Sequence, residues 1–121
     1  MTEFKIIPVA KPRMTRRDIW SKRPCVVGYF RFKDSLLKLA KSKKFKLGDK
    51  YRVEFLMPMP ASWSERKRKL MLSKPHQCRP DLDNLLKSVN DCLMASDDSS
   101  IWSIEASKIW SESGKIIFYK I

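Results

Sequence analysis

Five of the thirteen acidic residues of this basic chain fall within the stretch RPDLDNLLKSVNDCLMASDD, from Arg79 to Asp98. All five are aspartates, at 81, 83, 91, 97 and 98, with Asn84 and Asn90 beside them and Lys87 between. Short carboxylates gathered in this way either stabilise helix ends or hold a hard cation. On the first reading Asp81 is an N-cap, Asp83 a first-turn acid at the electropositive end of a helix, and Asp83, Lys87 and Asp91 an i,i+4 ladder of surface pairs. That reading accounts less well for Asp97 and Asp98. They would follow the helix near its electronegative end, where carboxylates are disfavoured. On the second reading, two sets of hard oxygens bracketing one helix suit Mg²⁺, which takes a few carboxylates and keeps several waters. The site would sit where the Asp97–Asp98 pair folds back beside Asp81 and Asp83. An ion so held can polarise a phosphate and help deprotonate a water, while Lys87 neutralises charge on the phosphate or orients the water.

The elements that must position these groups can be read from periodicity. Leu82, Leu85, Leu86, Val89 and Leu93 recur at helical spacing, so the stretch after Pro80 is expected to be a helix with a buried stripe. Asp83, Lys87, Asn90 and Asp91 share its opposite face. Phe4 to Val9 reads as a first strand, with Pro8 confining it to an edge or an end. Phe30 to Lys44 reads as an amphipathic helix with a basic outer face, ended by Leu47-Gly48-Asp49. From Lys50 to Met57 the pattern alternates, Tyr51, Val53, Phe55 and Met57 on one face, as a half-buried strand requires. Ser64 is a plausible N-cap for a short basic helix through Leu72. Ile101 to Trp110 and Lys115 to Ile121 read as strands joined by a hairpin turn at Ser111 to Gly114. Strands and helices in this order predict an α+β fold, with a mixed or antiparallel sheet packed against helices.

The chain has 121 residues, long enough for one domain with a real core and too short for two. Lysine and arginine number 26 against 13 acids, a net charge of +13. That excess favours a polyanionic partner, and nucleic acid is the expectation. Two stretches could grip phosphates. One is the proline-flanked arm carrying Lys11, Arg13, Arg16 and Arg17, with Trp20 among its cations. The other is the run Arg66, Lys67, Arg68 and Lys69. Either could equally be a solvated loop or helix face. Three cysteines without a CxxC fit reduced thiols, not a disulfide framework. His76 and Cys78 alone are too few for zinc. No apolar run approaches the ~20 residues of a membrane span, and the N-terminal stretch lacks the apolar core of a secretion signal. A cytoplasmic protein is expected.

Asp81-Leu82-Asp83-Asn84-Leu85-Leu86-Lys87 followed by Asp97-Asp98 and a strand resembles the RusA-type Holliday-junction resolvases of phages and prophages. The stretches KPRMTRR and KPHQCRP are also similar to phage members, and the resemblance covers most of the chain. It implies a Mg²⁺-dependent, homodimeric endodeoxyribonuclease that resolves four-way DNA junctions by paired nicking in the bacterial host cell. Its catalytic acids match Asp81, Asp83 and Asp98, and its catalytic lysine matches Lys87. Asp91 and Asp97 match further acidic positions. The spacer Cys92 to Ser96 departs from the family in lacking a glycine-containing turn. The rival reading of the same charge pattern is a basic DNA-binding phage regulator without catalysis, which leaves the aspartates unexplained. An RNA-binding protein finds no support in an RNP-type aromatic pattern, a GxxG loop or a zinc knuckle.

Overall fold

The computed structural model describes residues 1–13, 23–94 and 99–120. Its elements run β1 (Thr2–Phe4), α1 (Pro24–Ser42), β2 (Lys50–Pro58), α2 (Glu65–Met71), α3 (Leu82–Leu93), β3 (Ser103–Ser111) and β4 (Lys115–Tyr119). The four strands form one mixed sheet in the order β1-β4-β2-β3. β4 is antiparallel to both β1 and β2, whereas β3 runs parallel to β2. The α+β class is as the sequence predicts.

Alternation in β2 sets the layers. Tyr51, Val53, Phe55 and Met57 are buried, and Ile116 and Phe118 of β4 pair beside Phe55 and Val53 on the same face. Against that face lie Tyr29, Phe32, Leu36 and Ala40 of α1 and Leu85, Val89 and Cys92 of α3. Phe4, Phe45 and Phe118 form a mutual aromatic cluster, with ring centroids 5.1 to 5.9 Å apart. Each such side chain, once buried, contributes about 1.5–3 kcal/mol of transfer free energy, so this two-layer core outweighs the repulsion of a basic surface. The opposite face of the sheet carries Arg52, Glu54, Lys115 and Tyr119. There Glu3 pairs with Lys115 at 3.1 Å, and the Tyr119 hydroxyl donates to Glu54 at 3.4 Å.

Three sequence expectations need correction. β1 ends at Phe4, because Ile6 turns back on Phe4 with a backbone hydrogen bond of 3.0 Å. α1 begins at Pro24, six residues before the periodic stretch, with Pro in the first helical turn where its missing N–H costs nothing. β3 and β4 are not a hairpin. The turn at Glu112 to Gly114 carries the chain past the end of β2, and β4 enters the sheet on the other side. Gly114 permits this passage by close approach: a Cβ there would lie 2.6 Å from the Ile7 Cα.

Candidate active site

Asp81 occupies the N-cap position of α3, with extended backbone angles (φ −69°, ψ 144°), but its side chain accepts no capping hydrogen bond. Asp83 follows in the first turn. Both are exposed, and neither carboxylate has an ion-pair or hydrogen-bond partner among the described residues. An N-cap aspartate ordinarily contributes about 1 kcal/mol by bonding the first-turn amides. Asp81 forgoes that gain, which leaves its oxygens available to something outside the helix. With Arg79, Pro80 and Asn84 it lines a shallow depression at the helix start.

The approach to Asp81 is fixed from below. Residues 73–76 run along the outer edge of β3: the Ser73 amide donates to Trp110 O, the Trp110 amide to Lys74 O and the His76 amide to Lys108 O, each at 3.0 Å. The Arg79–Pro80 peptide is cis. Lys108 of β3 then reaches up to the loop, donating from Nζ to the carbonyls of Cys78 and Pro80, the latter at 2.7 Å. Lys108 lies in the core phase of β3, with Ile104, Ala106 and Trp110. A charge in that phase of an alternating strand was the readable sign of a special role, and sequence reasoning passed over it.

Further along α3, Lys87 pairs with Asp91 at 3.3 Å. Asp91 is also bonded by the Lys11 ammonium. Burial pushes the Asp91 carboxyl up, but the two lysines outweigh burial and hold it below its ordinary value. The Lys11 amide donates to Asn84 O at 3.2 Å, so backbone and side chain together tie the incoming arm to α3. Lys11, expected to grip phosphate, is thus engaged by the protein. Asn90, on the same face, accepts from the Tyr51 hydroxyl.

Of the other basic candidates, Arg13 is exposed and its carbonyl accepts from Arg23 at 2.9 Å. Arg66, Lys67, Arg68 and Lys69 lie on α2, which has no buried residue and is capped as expected by Ser64, whose Oγ accepts from the Lys67 amide at 3.2 Å. α2 is moored through Trp63, whose ring meets Trp110 at 4.7 Å and carries the Lys67 ammonium at 4.4 Å. Trp110 packs in turn on His76 at 4.3 Å. Burial first, and the Lys108 charge second, push the His76 pKa below its ordinary value. Cys92 is buried and burial raises its pKa, so its thiol is a packing group. Arg16, Arg17, Trp20, Asp97 and Asp98 lie outside the described residues. Among the described residues no set of three His, Cys, Asp or Glu side chains could hold a metal ion. Nor is any helix among them long and apolar enough to cross a membrane.

The sequence matches the family endodeoxyribonuclease RusA over residues 3–118. The chain belongs to that family. It is therefore an endodeoxyribonuclease of the Holliday-junction-resolving kind, and the reading as a binding module without catalysis falls away. No curated protein is significantly similar to it. RusA resolvases act on DNA junctions and are generally metal-dependent.

Proposed function

We propose that residues 1–121 act as one RusA-like endonuclease domain that resolves four-way DNA junctions with Mg²⁺, by paired nicks made by a homodimer. The observation that carries the metal is the uncapped Asp81 beside the unpaired Asp83. Two exposed carboxylates and open coordination positions suit an ion that retains waters. Asp81, Asp83 and Asp98 are its protein ligands in this reading. When bound, Mg²⁺ supplies Lewis-acid activation of the scissile phosphate and a more acidic attacking water. The remaining work falls to the chain itself. Lys87, one turn beyond Asp83, offers its ammonium to the phosphate oxygens as negative charge grows on them. Asp91 is a positioning residue, which holds Lys87 from one side and ties it to Lys11. Arg13, Arg16, Arg17 and the α2 cations bind the DNA backbone and leave base identity unread.

One chain carries one such cluster of aspartates, and a four-way junction has approximate two-fold symmetry. Two nicks on strands of like polarity call for two sites related by a two-fold axis, hence an isologous dimer. The substrate also argues for action in the cytoplasm of a bacterial host, and the KPRMTRR and KPHQCRP stretches for a phage or prophage origin. The deciding experiment incubates the protein with an end-labelled four-way junction and with linear duplex of the same sequence, in Mg²⁺ and in EDTA. Symmetric nicks on the junction alone, in Mg²⁺ alone, are expected. Equal cutting of both substrates, or cutting in EDTA, would overturn the proposal.

A further inference from the structure

At the end of the sheet where β2 begins and β4 finishes, a half-open cavity of about 570 Å³ is rimmed by Lys43, Lys44, Lys46, Lys50 and Lys120. None of these five lysines has a carboxylate partner among the described residues. The one carboxylate on the rim, Asp49, accepts from the Trp102 indole Nε1 at 3.1 Å, and its carbonyl accepts from the Trp102 amide at 2.9 Å. Five ammonium groups around one concavity repel one another and focus positive potential into it. Lys43 and Lys50 also lie over the Phe4 and Trp102 rings, each 5.8 Å from the centroid, but no carboxylate offsets the group, and it suits an anion that enters from outside.

Lys44 reaches the rim through the ending of α1. It follows the C-cap with φ of 52°, and the Lys44 and Phe45 amides close the helix on Lys41 O at 3.2 Å and Ala40 O at 2.9 Å.

The position of the cavity indicates its occupant. β2 spans nine residues, so at about 3.3 Å per residue its ends are about 26 Å apart. Lys50 opens the strand at the cavity, and the Pro60 carbonyl, just past the other end, accepts from Arg68 of α2 at 2.9 Å. The start of α3 lies between, joined to mid-sheet through Lys108, whose register partner is Phe55. Two positive features therefore lie toward opposite ends of β2, whose length sets their spacing along the strand. At about 3.4 Å per base pair, that spacing is about eight base pairs of duplex.

We propose that this lysine-rimmed cavity is a second clamp for the DNA backbone, which holds phosphates of a junction arm on the far side of the active site from α2. The proposal rests on DNA being the substrate, but on no feature of the metal site. Binding is therefore read on a short linear duplex in EDTA, where cleavage plays no part. The double variants Lys46→Gln/Lys50→Gln and Lys46→Glu/Lys50→Glu are compared with the unaltered protein over a range of salt. Lys46 and Lys50 are both exposed, so the fold should persist, and circular dichroism checks it. Removal of two phosphate-binding cations should reduce the slope of log K against log salt by about 1.8, with the glutamate variant binding more weakly than the glutamine variant. Amide shifts on adding duplex should include residues 43–50. A salt slope unchanged in both variants, or shifts that spare residues 43–50, would overturn the proposal. Binding of phosphatidylglycerol vesicles at these residues in preference to duplex would overturn it too, as it would make the site a membrane-binding surface.

Discussion

At the scale of single residues, Asp83 tests the proposed metal site apart from DNA binding. Asp83→Asn keeps the shape but removes a ligand charge and a charge that repels phosphate. It should abolish nicking and leave junction affinity unchanged or tighter, read by gel shift in Ca²⁺ or EDTA and by nicking in Mg²⁺. Nicking at the normal rate would remove Asp83 from the site. A second prediction concerns pH. His76 has a folded pKa below 6.5. Above pH 6.5 it is neutral folded or unfolded; below, the unfolded chain takes up a proton that the folded chain resists. Stability should therefore fall as pH drops through 6.5 and level off below the folded pKa. Asp91, held below 3.8, adds a second loss only at lower pH still. As His76 is the sole histidine, its imidazole titration by NMR is unambiguous, and a midpoint at or above 6.5 would contradict the burial argument. The aspartates themselves were legible in the sequence, because five of them in a basic chain have few explanations. What could not be read was that Asp81 leaves its cap unmade, since that depends on a side-chain rotamer. The engagement of Lys11 by Asp91 was equally hidden, as it joins residues eighty positions apart.

At the scale of elements, the crossover into β4 and the strut from β3 are the points to test. Gly114→Ala forces a Cβ against the backbone of Ile7, where no flexible side chain can yield. A destabilisation of about 1–3 kcal/mol is expected, measured as a lower urea midpoint at unchanged slope. A neutral result would mean that the turn shifts freely. Lys108→Met keeps the aliphatic stem but deletes charged bonds to the Cys78 and Pro80 carbonyls, each worth about 1.5–3 kcal/mol. Faster amide exchange over residues 76–82 and slower nicking should follow, with the sheet still folded. Strand β2 was readable almost to the residue, since its alternation is driven by one buried face. The hairpin was misread for a different reason. Turn residues such as Ser113-Gly114 say where a chain bends, whereas which flank of β2 the next strand takes is settled by pairing along the whole sheet.

At the scale of the whole molecule, charge and assembly govern how the protein meets its substrate. Replacing Arg13, Arg16 and Arg17 with alanine should flatten the salt dependence of junction binding by roughly 0.9 for each phosphate these side chains neutralise. If the slope holds, α2 and the lysine-rimmed cavity carry the grip. A dimer is expected by sedimentation equilibrium, free or on a junction, and a persistent monomer would undo paired nicking. Of the C-terminal aromatic and aliphatic side chains that could serve an interface, Trp110 and Ile117 are buried within the chain, while Trp102 remains 70% exposed. The sheet carries one more implication. β4 is made last of the seven elements, yet it sits between β1 and β2. Until Lys115–Tyr119 has left the ribosome, β1 has no neighbour to pair with and the aromatic cluster around Phe118 lacks its centre. Synthesis therefore delivers α3 and its aspartates before the strand that locks the sheet.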